Sequence, residues 1–165
     1  MVMKGKVFKF GDNINTDWII SGRYKFSITD MKQLSQFLFE DIRPGFYKEL
    51  IPQGSIIAAG ENFGMGSSRE QAPWVIKEAG VLCVVAKSFA RIFYRNAFNI
   101  GLALIEADTS SLKEASEAVV DLDRGTIEDS GATIRFKAWD NFRKDLVDCG
   151  GVIKYLEKYK DFKLG

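Results

Sequence analysis

Between residues 55 and 105 the apolar residues come in short continuous runs, Ile56 to Gly60, Val81 to Ala86 and Leu102 to Ile105. Each is too short for a helix and is bounded by glycine or polar residues, the pattern of strands buried on both faces. Between the first two runs, Ala72, Val75, Ile76 and Ala79 recur at helical spacing and Gly80 supplies a stop, with Pro73 required to sit in the first turn or kink the helix. Between the last two, Ser88 is placed to cap a second helix running through Arg91 and Arg95. Strand, helix, strand, helix, strand predicts a parallel sheet with right-handed crossovers.

Outside this stretch the texture changes. Val2 to Phe10 alternates as a strand closed by Gly11-Asp12-Asn13, and Asn15-Thr16-Asp17 precede the apolar Trp18-Ile19-Ile20, which places their side chains at the edge of the core. Thr29 or Asp30 can cap a helix with apolar face Leu34, Phe37 and Leu38, ended by Pro44-Gly45. Towards the C-terminus, Asp123-Arg124-Gly125 reads as a hairpin turn between Ala118 to Leu122 and Thr126 to Glu128. Thr133 to Trp139 reads as a further strand, and Val152 to Tyr159 as a closing helix. No repeat, low-complexity tract or linker interrupts the chain, so one domain over 1–165 is expected, with the later hairpins extending it.

Composition narrows the function. A chain of 165 residues, 46% hydrophobic, has enough apolar material for one real core. Its 23 Lys and Arg nearly cancel its 22 Asp and Glu, and no basic block stands out, which argues against nucleic acid or an anionic membrane as the main partner. No charged-then-apolar leader and no bilayer-length run is visible, so a cytoplasmic location is expected. Cys83 lies inside an apolar run and Cys149 precedes Gly150-Gly151, which is no disulfide framework.

The absence of histidine removes the commonest general base, the usual zinc ligand and every Ser-His-Asp arrangement. Two cysteines far apart in sequence cannot by themselves hold a four-iron cluster. Any metal serving this chain is therefore expected to be ligated elsewhere.

The segment with most chemistry is Gly64-Met65-Gly66-Ser67-Ser68-Arg69-Glu70, between the first apolar strand and its helix. Two glycines let the backbone approach a ligand, a helix start offers unpaired N–H groups, and the arginine can grip a carboxylate through two parallel hydrogen bonds. An ordinary loop fits as well, because Ser67 with Glu70 and Ser68 with Gln71 both match a capping box. The Walker lysine and the third glycine of a dinucleotide loop are missing. Spacing alone leaves both readings open.

Four ordered segments go further: Gly11-Asp12-Asn13-Ile14-Asn15-Thr16-Asp17, Gly22-Arg23-Tyr24, Gly60 to Glu70, and Ala86-Lys87-Ser88-Phe89-Ala90-Arg91-Ile92-Phe93-Tyr94-Arg95-Asn96. Together they resemble the small subunits of 3-isopropylmalate dehydratases, in the aconitase family, most strongly from residue 5 to about 106. The resemblance implies an α/β fold of the swivelling β/β/α type with a mostly parallel central sheet. It implies a hydro-lyase of leucine biosynthesis that interconverts 2- and 3-isopropylmalate by removing and re-adding water. It further implies a large-subunit partner carrying a [4Fe-4S] cluster, with the active site at the interface and no cofactor on this chain.

By the same resemblance Ser67 matches the serine that takes the proton from the carbon beside a carboxylate, and Arg69 the arginine that binds substrate carboxylate. Ser68 belongs to the same anion-binding turn, while Asp17, with Thr16, matches an edge acid that orients the arginines. Two positions depart from the usual loop: Met65, where a cysteine or small residue is common, and Gln71, where histidine is common. Phe26 stands where homoaconitase-type relatives place an arginine, which favours an alkyl substituent on the substrate, although Lys25 next to it offers a charge. Sister activities on homoaconitate, citraconate or dimethylmalate, and a stand-alone anion-binding role, are the alternatives.

Overall fold

The three continuous apolar runs are strands, and they lie side by side. The computed structural model describes residues 1–162; the last three positions of the domain expected over 1–165 lie outside them. In chain order the elements are β1 (Val2–Lys9), α1 (Thr16–Ile19), α2 (Gly22–Lys25), α3 (Met31–Ser35), α4 (Phe46–Glu49), β2 (Ser55–Ala59), α5 (Gln71–Glu78), β3 (Val81–Ala86), α6 (Arg91–Asn99), β4 (Ala103–Glu106), β5 (Glu117–Asp121), β6 (Thr126–Asp129), β7 (Ala132–Arg135), α7 (Asn141–Cys149) and α8 (Val152–Tyr159). One seven-stranded sheet collects all the strands in the order β4-β3-β2-β1-β5-β6-β7. Pairing is parallel from β4 across to β1, as the βαβ pattern predicts, and antiparallel from β1 out to β7.

Alternation along the strands sorts the core into two faces. The cross-strand row Phe8, Ile57, Val84, Leu104 faces one apolar cluster, built with Leu34, Leu38, Val75, Ile76 and Ala97 from the helical side. The neighbouring row Val7, Ile56, Cys83, Ala103 faces a second cluster with Val120, Ile127, Ile134 and Trp139. Those last residues come from β5 to β7 and the segment after them. The sheet therefore curls, and its antiparallel half covers the far face of its own parallel half. A helical layer, a parallel layer and an antiparallel layer make the β/β/α arrangement, and burial on both faces explains why β2 to β4 read as continuous apolar runs. Each fully buried Val, Leu or Ile contributes roughly 1.5–3 kcal/mol.

Some local expectations fail for visible reasons. The helix expected to reach Pro44 ends at Ser35, because the N–H of buried Phe39 bonds the Ile19 carbonyl at 2.9 Å and draws the chain into successive tight turns. The strand expected to reach Trp139 leaves the ladder after Arg135, and Trp139 turns into the second core cluster. Thr16, expected at the core edge, is 3% exposed. Helix α7 was not anticipated, since Phe142, Leu146 and Val147 are too sparse among charges to show a stripe. Its end signals are nevertheless present: the Asp140 carboxylate accepts the Arg143 N–H at 2.8 Å and Gly150 closes it.

Both cysteines are free thiols, Cys83 buried and Cys149 half-buried. Burial pushes the Cys83 thiol up to about 12. Since the thiolate is the reactive form, a thiol reagent near pH 8 should label Cys149 alone in the native chain and both cysteines after denaturation. Rapid native labelling of two thiols would contradict the packing of β3.

Candidate active site

Three chain crossings at the carboxyl ends of the parallel strands build the site, the position where open α/β sheets place their ligands. The chain leaving β2 runs through the glycine loop, flanked by segments that follow β1 and β3. On one side Asn15 bridges Met65 in parallel fashion, the Gly64 N–H bonds the Ile14 carbonyl at 2.7 Å, and the Thr16 N–H bonds the Met65 carbonyl at 2.9 Å. On the other side Phe63 bridges Phe89, with its N–H on the Ser88 carbonyl at 3.0 Å and its carbonyl taking the Ala90 N–H at 3.0 Å. The loop is thus held like a short strand between two others.

Two glycines give it its shape. Gly64 has φ +83 and sits so close to the Phe93 ring that a Cβ there would lie 2.2 Å from Cγ; Gly66 has φ +92. The turn at Gly66 sends Ser67 and Ser68 to the surface, and the buried Thr16 hydroxyl donates to the Ser67 carbonyl at 2.8 Å, fixing the backbone beneath the serine.

The capping boxes do not form. Helix α5 takes Glu70 as its N-cap with no side-chain cap bond, and among the described residues neither the Ser67 nor the Ser68 hydroxyl has a hydrogen-bond partner. Ser88 does not cap α6 either; its hydroxyl accepts the Asn62 N–H at 2.8 Å, and Ala90 is an N-cap without a side-chain bond. The Ser67 and Ser68 hydroxyls are therefore free to meet a ligand, whereas that of Ser88 is engaged within the fold.

Arg69 is the half-sheltered charge of the site, with its side chain 14% exposed. It donates to the Ile20 carbonyl at 3.3 Å and forms an ion pair with Asp17. Asp17 is 57% exposed, and so wet a pair contributes about 1 kcal/mol or less. A substrate carboxylate can share or take over the guanidinium at small cost, while Asp17 holds it in place beforehand.

These residues open on a cleft of about 480 Å³, lined by Thr16, Ser67, Ser68 and Arg69 and, from the other side, by α6. The helix start that faces the cleft is that of α6 rather than α5: Ala90, Arg91, Ile92 and Phe93 line it, and the first-turn N–H groups of a helix have no partner within it. Arg91, Arg95 and Asn96 also line it and were not singled out as site residues. Arginines four apart share a helix face, which was the available signal.

Of the residues expected from sequence, the structure brings Thr16, Asp17, Ser67, Ser68 and Arg69 together. It leaves Lys25 and Phe26 outside the cleft lining, on and just after α2. They are still neighbours of the site, for a Cβ on Gly22 would lie 3.3 Å from the Phe26 ring and 3.6 Å from Arg69 Nη1. Phe26 is 83% exposed, with the Lys25 ammonium 5.4 Å from its ring centre.

The chain's own donor set does not fit an iron cluster: it has no histidine, and one of its two cysteines is sealed in β3. Among the described residues no three His, Cys, Asp or Glu side chains are grouped to hold a metal ion, and no helix is long and apolar enough to cross a membrane.

Comparison with known proteins identifies the fold and the family. Residues 29–110, from before α3 to beyond β4, match the family model of the aconitase C-terminal domain. The chain is 46% identical over 166 residues to a 3-isopropylmalate dehydratase small subunit of Archaeoglobus fulgidus, covering 99% of this chain and 100% of that protein. It is 43% identical to one of Thermotoga maritima over 98% of each. The crystal structure of a 3-isopropylmalate dehydratase from Methanocaldococcus jannaschii superposes with a TM-score of 0.90 at 42% identity, covering 97% of this chain and 96% of that one. At this identity, over nearly the full length of each relative and on the same fold, the chain belongs to the family of 3-isopropylmalate dehydratase small subunits.

Proposed function

We propose that this chain is the small subunit of a two-subunit hydro-lyase that interconverts 2-isopropylmalate and 3-isopropylmalate through dehydration and rehydration, in leucine biosynthesis. The observation that carries the proposal is the pairing of an unpartnered, exposed Ser67 hydroxyl with the half-sheltered Arg69 guanidinium in one cleft. Arg69 binds a substrate carboxylate with the donors left over from Asp17 and Ile20. Ser67, as an alkoxide stabilised by Arg69, by Arg91 and Arg95 and by the α6 start, takes the proton from the adjacent carbon to become the hydroxyl and gives it back on rehydration. Loss of the hydroxyl needs a Lewis acid, and a [4Fe-4S] cluster held by the large subunit would supply that chemistry.

The surface around the cleft supports a protein partner there. Trp18, Met65 and Ile92 are 41%, 39% and 55% exposed, and Phe26 stands beside Arg69 almost fully in water. Large apolar side chains gathered round a polar centre are what an interface buries. The test is reconstitution: the chain alone should show no turnover, and adding the cognate large subunit should restore hydration of the unsaturated intermediate, followed by its ultraviolet absorbance. Stoichiometric iron and sulfide in the purified single chain, or no activity on mixing, would count against the proposal.

Specificity follows from Phe26. Packing the substrate's isopropyl group against this ring in the assembled site contributes roughly 0.8 kcal/mol per CH₂, whereas a carboxylate there loses water without gaining a partner. Phe26→Arg should lower kcat/KM on isopropylmalate by about tenfold or more and raise it on homoaconitate, while Lys25→Ala leaves isopropylmalate turnover largely intact. If Lys25→Ala abolishes turnover and Phe26→Ala does nothing, the loop reads a charge and the substrate is more anionic.

A further inference from the structure

A second cleft, about 490 Å³, lies on the far side of Arg91 and Arg95 and shares those two side chains with the first. Its size is that of a small-molecule site. Lys137, from the segment after β7, and Arg143, in the first turn of α7, add two further cations to its wall. Arg91, Arg95 and Lys137 have no carboxylate partner among the described residues, and Arg143 has only Asp140 at 3.9 Å. The rest of the lining is largely aromatic: Phe89, Tyr94, Phe136 and Trp139. Trp139 is 6% exposed, and its indole N–H has no partner in the fold yet is not sealed away, for no buried side-chain nitrogen or oxygen among the described residues is left unsatisfied. Such a donor, on a residue that lines the cleft, is open to water or to an acceptor from a ligand. One acid, Glu106, shares the wall.

We propose that this second cleft is a binding site for a small organic carboxylate with an alkyl or aryl body. The cations and the indole N–H take the carboxylate, and the aromatic wall takes the body. Inorganic anions satisfy only the first half, and a purely apolar molecule only the second. Unpaired guanidinium groups and an ammonium on a concave wall gain most from a charge-assisted partner that also excludes water.

The test uses the full-length chain and 4-methylpentanoate as the probe, followed by titration calorimetry and tryptophan emission. Saturable binding is expected, weakened about tenfold or more in Lys137→Ala/Arg143→Ala, positions that line this cleft and not the first. Glu106→Gln should tighten it, because a like charge leaves the wall, and Ser67→Ala should not change it. The emission change should vanish in Trp139→Phe and persist in Trp18→Phe. Inorganic phosphate should bind at least about tenfold more weakly than the probe, since it has no body for the aromatic wall. The proposal is overturned by absent saturation, by equal affinity in the double variant, by phosphate binding as tightly as the carboxylate, or by complete loss of probe binding once the large subunit is added, which would make the cleft a seat for the partner.

Discussion

Replacing Ser67 by alanine is expected to lower kcat of the reconstituted enzyme by about 10²- to 10⁴-fold, the usual consequence of losing a general base, with much less change in KM. The substitution isolates the chemistry unusually well. The Ser67 hydroxyl makes no hydrogen bond within the described residues and caps no helix, so stability should stay within about 0.5 kcal/mol of the parent. Arg69→Lys should behave differently and damage both kcat and KM, because an ammonium replaces a planar two-point grip. It also disturbs the contacts with Asp17 and Ile20 that aim the side chain. Near-full turnover in Ser67→Ala would remove the serine from the reaction and leave the loop as a carboxylate clamp only.

A second large effect is expected one turn earlier, at Gly64. An added Cβ would meet Phe93 Cγ at 2.2 Å, and φ +83 is a conformation that side chains resist. Left-handed strain of roughly 1–2 kcal/mol and overpacking of about 1–3 kcal/mol should together lower stability by roughly 2–5 kcal/mol, read as a fall in the denaturant midpoint. Gly66→Ala is the internal comparison. Its φ is +92, but the nearest atoms would be Asn15 Cβ at 3.5 Å and Thr16 Oγ1 at 3.8 Å, so only the backbone term applies. Trimming the obstacle in Gly64→Ala/Phe93→Leu should recover part of the loss. An unchanged midpoint in Gly64→Ala would mean that the loop does not need its close contact with α6.

The parallel half of the sheet was legible because β2, β3 and β4 are buried on both faces and so carry uninterrupted apolar runs, with helical spacing between them. The curl was not. Alternation in β5 to β7 says that Val120, Ile127 and Ile134 face something apolar, but not that the something is the back of β2 and β3. Local signals also competed. Ser67 and Glu70 satisfy a capping pattern, yet the turn at Gly66 ends before the helix begins and Glu70 itself takes the cap position. The loop's role in anion binding was readable from its residue types, whereas the contribution of Arg91 and Arg95 needed the knowledge that α6, starting just beyond β3, packs over the glycine loop. Thr16 shows the same limit: a hydroxyl beside a charge reads as surface, and only the fold reveals a buried donor holding the Ser67 carbonyl.

The position of β1 has a consequence for how the chain is made. It is made before the other strands of its sheet, and it ends at the centre, with Val7 beside Ile56 on one edge and Gly5 beside Ala118 on the other. The first edge closes when β2 emerges. The second stays open until Glu117–Asp121 has been synthesised, after the parallel half, whose last strand ends at Glu106, and its two crossover helices are available to collapse. Such distant pairing slows folding and leaves partly built species exposed to association. Lysines at positions 4 and 6 sit along this waiting strand, and Lys4 meets Glu117 at 2.9 Å only once β5 arrives. Charge of this kind discourages a stray strand from docking. A nascent chain stalled before Glu117 would carry a finished parallel sheet with one unpaired side screened by these lysines alone, and the nearest strand able to close it would belong to another copy.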